Sequence, residues 1–495
     1  MTEPVSVSFG RRLSDLAAVR GAETAVVFAP EHGADQEISW TELERRSNQM
    51  ARRLADDGVV EGDLVVVGLR NVPQHLFCTF GAWKLGAAVL PLRAALPEWE
   101  RERLLRIAGA RIVIGDWEGA GSDGVLSLAD VDATTGLSSE PPDEDHVPPH
   151  ARLLATSGST GVPKLIVSPA PGLYTEEPTL FGTEASGRTI AMASSPLYHA
   201  NGSAYCYPAI LNGNKVVLME RFDAARAVDL IEKYRVTTTV FVPTMLQRIA
   251  RLEGVGERDL SSVERLIYGG ATIAEWVVRA WLELIPPERF VFAYGGSEGI
   301  GYCGCTGLEW LTHPGTTGQP LGCELIILDE DRRKLGVGEI GEIWMKNASG
   351  AESYRYVGID TPEPILGGFR TFGDMGWLDQ DGFLYIADRR QDMIVTGGVN
   401  VFPAEVEAAL SEHPEVADVV VIGLRDPEWG RRIHAVIQPA DPASPPTEEA
   451  LRAHCKARLS GPKVPKTFEF VDALPRSAAG KVNRTRLAEE REEGP

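Results

Sequence analysis

Short apolar runs alternate with amphipathic segments through the first two-thirds of the chain, and that alternation confines the fold to helices layered on sheets. Trp40–Leu54 sets Leu43, Met50, Ala51 and Leu54 along one helical face, and the apolar run Leu64-Val-Val-Val-Gly68 has the length of a buried strand. Pro73–Leu85 reads as a helix with proline in its first turn, and Ala87–Leu92 as the next strand. Between Trp117 and Ala151, Gly, Ser, Asp and Pro accumulate, which reads as a solvated connection. Strands resume at Thr189–Ser194, Val216–Met219, Thr238–Val242, Arg265–Tyr268 and Phe290–Ala293. From Gly318 to Tyr385 the pattern turns β-rich, with short strands at Glu324–Leu328, Glu342–Lys346 and Phe383–Ile386. Beyond the charged stretch Asp388-Arg-Arg-Gln-Asp392, the chain carries its own helices (Pro403–Glu412, Thr447–Leu459) and strands (Val416–Ile422, Ile433–Pro439, Thr467–Phe470). The expected fold is α/β. Residues 1–388 form a large N-terminal layered α/β domain with a β-rich subdomain, 389–392 a hinge, and 393–495 a small mobile α+β C-terminal domain.

Thr156-Ser-Gly-Ser-Thr-Gly-Val-Pro-Lys164 lies between two apolar runs, Leu153–Ala155 and Leu165–Val167. Glycines let backbone N–H groups turn toward an anion, hydroxyls add donors and lysine adds charge, so Thr156, Ser157, Gly158, Ser159, Thr160, Gly161 and Lys164 suit a polyphosphate. The spacing is not that of a P-loop, because Val162-Pro163 separates Gly161 from Lys164 and a strand follows where a helix would be needed. A hairpin clasping phosphates fits the pattern. Gly336-Val-Gly-Glu-Ile-Gly341 matches a dinucleotide fingerprint only by letters. Glu342–Lys346 continues as a strand, so no helix N-terminus meets a pyrophosphate, and the glycines read as a hairpin turn.

Over the 495 residues, the net charge of −21 opposes general binding to nucleic acid or anionic membrane, so an anionic ligand needs a local basic pocket. Neither a basic-then-apolar leader nor an apolar run of about 18 residues occurs, and a cytoplasmic location without a membrane span is expected. The six cysteines read as reduced. Cys303-Gly-Cys305, with His313 and Cys323, lacks the paired spacing of a zinc site.

Further motifs follow in a fixed order: Tyr268-Gly-Gly-Ala271, Tyr294-Gly-Gly-Ser-Glu298, Thr371-Phe-Gly-Asp374, Asp388-Arg389, Gly397-Gly-Val-Asn-Val-Phe-Pro403 and Pro475-Arg-Ser-Ala-Ala-Gly-Lys481. With them the chain resembles the adenylate-forming superfamily of acyl-CoA synthetases, adenylation domains and luciferases. It is most like a bacterial acyl- or aryl-acid CoA ligase, and the resemblance runs from Ile38 to Lys481.

The resemblance implies two half-reactions. A carboxylate attacks the α-phosphorus of ATP to give an acyl-adenylate and pyrophosphate, and the thiol of coenzyme A then takes the acyl group. It also assigns residues. Glu298 is the Mg²⁺ ligand, Tyr294 stacks on adenine, and Ser297, where relatives carry threonine, offers a hydroxyl to the α-phosphate. Gly269, Gly270, Ala271, Gly295 and Gly296 let backbone approach the nucleotide, Asp374 accepts from the ribose, and Arg389 contacts the nucleotide. Lys481 bridges the substrate carboxylate and α-phosphate, and must leave before the thiol enters, so the C-terminal domain rotates. Gln391 stands at the hinge where relatives carry Lys or Asp. Gly397 and Gly398 then line the coenzyme A channel.

An aspartate that pairs with an amino-acid substrate in some relatives is replaced near His199, which disfavours an α-amino acid. His199 reads either as a carboxylate gate or as a packed core histidine. Tyr205, Tyr207, Val242, Met245, Gly270 and Gly299 would shape an apolar acid pocket for a fatty, aryl or polycyclic acid. A freestanding enzyme that loads a carrier protein stays open, as does a catalytically silent nucleotide-binding regulator. Glu298 and Lys481 speak against the regulator. The sequence does not set the oligomeric state.

Overall fold

The computed structural model describes residues 6–122, 124–156, 164–176, 188–348, 350, 354–476 and 481–492. Its largest sheet has nine strands among these residues. Six of them, Thr24–Ala29, Lys215–Met219, Ile190–Ala193, Thr238–Phe241, Arg265–Tyr268 and Phe290–Gly295, run parallel in that spatial order. Antiparallel strands close both edges. Parallel strands covered on both faces must be apolar throughout, and side-chain alternation then divides each strand between two cores. Val26 and Phe28 belong to the core shared with the helices Trp40–Asp56, Pro73–Lys84 and Ala200–Leu211. Val27 and Ala29 belong to the opposite core, against Ala224–Tyr234, Pro243–Ala250 and Glu275–Leu284.

The region from Trp117 to Ala151 departs from the expected solvated connection. Val125–Ser127 adds a fourth parallel strand to the sheet of Ala88–Pro91, Leu64–Gly68 and Ile112–Gly115, and a short helix, Leu128–Ala133, follows. Ser127 and Asp130 form a reciprocal capping box there, a local signal that polar composition obscured. Elsewhere the expected hairpin at Gly336–Gly341 is present, with Cys323–Leu328 antiparallel to Gly341–Asn347.

Past Met393 the chain has a core of its own, built from Ile394, Val406, Leu410, Val421, Ile437 and Leu451 among others. It contacts the larger domain through main-chain acceptors. Gln247 Nε2 and Arg251 Nη1 donate to the Ala417 carbonyl at 2.9 and 2.8 Å, and Arg251 Nη2 to the Ser411 carbonyl at 3.2 Å. The stretch read as a charged hinge is partly structural. Arg389 ends the strand Leu384–Arg389, and Asp388 is buried with Oδ2 accepting the Ala404 N–H at 2.9 Å, at the start of the helix Pro403–Ser411. Burial lifts the Asp388 carboxyl to about 6, against the opposing charge of Arg484 and the backbone donors. Gln391 is exposed between Arg390 and Asp392 in a single 3₁₀ turn. No helix among the described residues is long and apolar enough to cross a membrane.

Candidate active site

The phosphate loop is hung on a hairpin, as its flanks imply. Leu153–Thr156 pairs antiparallel with Lys164–Val167, and Thr156 faces Lys164 in the last register pair. Ser157, Gly158, Ser159, Thr160 and Gly161 lie outside the described residues. Thr156 Oγ1 is buried with no hydrogen-bond partner among the described residues, which suits a hydroxyl awaiting an acceptor. Arg355–Val357 lies on the other side of Lys164–Val167, and this third strand brings in a residue that the motifs did not signal. The Tyr356 hydroxyl donates to Glu298 Oε1 at 2.8 Å, and Lys164 Nζ sits 3.8 Å from the centre of the same ring. Burial lowers the Lys164 pKa, with Glu298 opposing and Arg389 reinforcing the shift.

Glu298 stands in the turn after Phe290–Gly295, half-buried, with Oε2 free of the Tyr356 bond. A carboxylate with lone pairs directed away from its one donor is the oxygen ligand a hard cation takes, so this position fits Mg²⁺. Tyr294, the penultimate residue of the same strand, donates through its hydroxyl to Asp374 Oδ2 at 2.8 Å. Asp374 and Arg389 are register partners in the hairpin Asp374–Leu378/Leu384–Arg389, with Nε 3.5 Å from Oδ1. Burial raises the Asp374 pKa, while Arg389, the Tyr294 hydroxyl and Lys481 pull it down. A cavity of about 480 Å³ opens beside them, lined by Phe372, Gly373, Arg389, Arg390 and Gln391.

Lys481 of the C-terminal domain reaches into this cluster. The residue keeps exposed surface, yet the protein around its ammonium lowers its pKa, first by desolvation and then through Arg389, with Glu298 and Asp374 opposing. Its charge also reaches His199. Burial, then Lys481 and Arg93, bring that imidazole to about 4, so it is neutral at pH 7. His199 caps the N-terminus of Ala200–Leu211, rests 4.4 Å from the Tyr198 ring, and buries Nε2 with no partner among the described residues.

The glycines hold backbone close. A Cβ at Gly269 would lie 2.8 Å from the Ala293 carbonyl oxygen, and one at Gly296 would lie 2.4 Å from the Phe372 ring. Gly270 has φ 103° and faces Asn201 and Val242, and the Ala271 carbonyl accepts the Tyr268 hydroxyl. Gly295 packs under Tyr302, Ser297 is exposed, and Gly299 has φ 64° in the same turn.

Two expected pocket residues are core residues. Tyr205 is fully packed and donates to Thr238 Oγ1 at 2.5 Å. Tyr207 shares a 3.0 Å bond with Thr79 Oγ1 and meets Trp83 edge-on. Both sides of this helix are covered, so spacing from His199 does not select the pocket face. Met245 is buried with its sulfur accepting Ser194, while Val242 is buried beside Gly270. Gly397 and Gly398, at φ 56° and 80°, form an exposed turn against Trp429, whose carbonyl accepts the Gly397 N–H at 2.9 Å. Cys303 and Cys305 are buried on one strand as thiols, and burial raises both pKa values.

The chain as a whole matches known proteins. The AMP-binding enzyme family model matches residues 13–355, and that of the AMP-binding enzyme C-terminal domain matches residues 405–481. The chain belongs to the AMP-binding enzyme family. It is 34% identical to the 2-succinylbenzoate–CoA ligase of Geobacillus kaustophilus (strain HTA426), over 91% of this chain and 92% of that protein. It is 30% identical to the fatty acid–[acyl-carrier-protein] ligase ScoC of Streptomyces coeruleorubidus, over 91% of each. The solved structure of o-succinylbenzoate CoA synthetase from Bacillus subtilis, in complex with the acyl-adenylate intermediate OSB-AMP, superposes with a TM-score of 0.81 at 27% identity, covering 98% of both chains. Lys481 is the last residue that the C-terminal domain model matches.

Proposed function

We propose that this chain is an ATP- and Mg²⁺-dependent carboxylic acid–CoA ligase acting on a lipophilic fatty, aryl or polycyclic acid. The observation that carries the reading is the convergence of Lys481, Asp374, Arg389 and Glu298 beside a neutral His199. Adenylation brings a carboxylate against a polyphosphate, so it demands cations held in advance at the point of attack. Lys481 and Arg389 supply two, and Lys164 holds the phosphates that leave. Asp374 accepts from the ribose, and Tyr294 flanks the base. Neutral His199 lets the acid's carboxylate pass without being trapped in an ion pair. Mg²⁺, when bound at Glu298, neutralises phosphate charge. Residues 389–392 act as the hinge that withdraws Lys481, and Gly397-Gly398 then line the path of coenzyme A. The reaction belongs to the cytoplasm, where ATP and coenzyme A are supplied.

ATP–pyrophosphate exchange across a panel of carboxylic acids, with mass detection of CoA thioesters, tests this directly. Exchange that needs an acid and yields its thioester is expected. Exchange without thioester would move the acceptor to a carrier protein, a second reading favoured by the 30% identity to a fatty acid–[acyl-carrier-protein] ligase. No exchange with any acid would refute the ligase.

A further inference from the structure

Arg152 immediately precedes the strand Leu153–Thr156, which leads into the loop proposed to hold phosphates, and it has no carboxylate partner among the described residues. Its Nη1 donates to Ser203 Oγ at 2.5 Å, and Ser203 in turn donates to the His199 carbonyl at 2.8 Å, one turn into the helix that His199 caps. Among the described residues, the titratable groups that bear on Arg152 are two tyrosines, Tyr207 and Tyr302. The Tyr207 hydroxyl is hydrogen-bonded to Thr79 Oγ1 at 3.0 Å. Tyr302 follows the Glu298 turn, stands over Gly295, and feels both Arg152 and Glu298, so the guanidinium lies near that turn.

A guanidinium has five N–H donors in a planar fork, and one neutral hydroxyl satisfies only one of them. Desolvation lowers the Arg152 pKa, yet the residue keeps accessible surface. An embedded cation with accessible surface faces a cleft, not packed side chains. Desolvated cations without a counter-charge are costly, and a fork of this kind matches a carboxylate in two-point geometry.

Resting on the acid-ligase reading, we infer that Arg152 is a specificity-determining subsite for a second carboxylate on the substrate, remote from the one that is adenylated. The preferred acids are therefore dianions. His199 and Lys481 receive the reacting carboxylate, and Arg152, steadied by Ser203, receives the other.

The full-length enzyme is tested by exchange with matched pairs, octanoate against octanedioate and phenylacetate against homophthalate. Wild type should favour the diacid of at least one pair by at least about tenfold in kcat/KM, below the roughly 10⁴-fold or more by which a site built to pair a substrate group can reject a ligand lacking it. Arg152→Met should erase that preference by raising KM for the diacid while leaving the monoacid within about twofold. Arg152→Lys should restore part of it. Equal loss on both acids in Arg152→Met, with no rescue by lysine, would make Arg152 structural and overturn the subsite, as would a wild-type preference for monoacids. Calorimetry with each diacid in the presence of AMP separates this from the ligase reading. Diacid binding that is lost in Arg152→Met, with no exchange for any acid, would keep the subsite and refute the ligase; absence of diacid binding to wild type would refute the subsite whatever the exchange result.

Discussion

Tyr356 bonds Glu298 at 2.8 Å while its ring carries Lys164 at 3.8 Å, so one side chain holds both the proposed cation ligand and the lysine proposed to hold phosphate, and stands between their opposite charges. Without the ring between them, lysine and glutamate could pair with each other instead of with substrate.

Tyr356→Phe keeps the ring and removes the bond. Glu298 loses about 1 kcal/mol of positioning, so the Mg²⁺ concentration for half-maximal pyrophosphate exchange should rise about fivefold, with the KM for the acid unchanged. Tyr356→Ala should in addition raise the KM for ATP. An unaltered Mg²⁺ requirement in the phenylalanine variant would refute the positioning role.

Lys481→Ala should lower adenylation by at least about 10²-fold, the scale of losing one preorganised charge at a reacting centre. Thioester formation from supplied acyl-adenylate should persist, because that half-reaction needs the lysine gone. Burial and Arg389 hold the Lys481 pKa below that of a free lysine. The ammonium is therefore lost at lower pH, and the alkaline limb of the exchange profile should fall before the ordinary lysine range. A limb unchanged in Lys481→Arg would point to another group.

Arg251→Ala removes two donors from the contact with the Ala417 and Ser411 carbonyls. Adenylation should slow by about threefold to tenfold, at roughly 1 kcal/mol for the lost bonds, while thioester formation holds or improves. Measuring the half-reactions separately checks this, and equal slowing of both would exclude a docking role.

His75 is fully buried, with Nδ1 3.3 Å from the Leu69 carbonyl and Nε2 unpartnered among the described residues. Burial brings it to about 4, below its unfolded value near 6.5. The folded state therefore binds fewer protons than the unfolded state between those values. Its stabilisation is complete above pH 6.5 and is lost as pH falls toward 4, by about 3 kcal/mol at most. Thermal midpoints of wild type should drop through that window, and those of His75→Gln should drop less. Parallel curves would assign the acid sensitivity elsewhere.

Legibility in the sequence followed how local each signal was. The strands Leu153–Thr156 and Lys164–Val167 are self-evident from apolar runs flanking a Gly/Ser loop, and their pairing follows from the short connection. Lys481 is legible only through the residues before it. Arg476 in that run shows why the context matters, for it grips Asp418 at 2.6 and 2.8 Å and anchors the segment to the C-terminal sheet. Tyr356, Arg152 and Arg251 are illegible, since each acts across more than 50 residues of sequence through a partner that no spacing relates to it. The misassigned tyrosines have the opposite cause: Tyr205 and Tyr207 sit near His199 in sequence, but the helix turns them toward Thr238 and Thr79.

Arg251 and Gln247 grip the C-terminal domain by its peptide oxygens, and a peptide oxygen is the same whatever residue carries it. That surface can drift in sequence without losing its grip. A C-terminal domain transplanted from a distant relative should therefore dock as well as the native one, making the lysine-bearing half of the enzyme an exchangeable part.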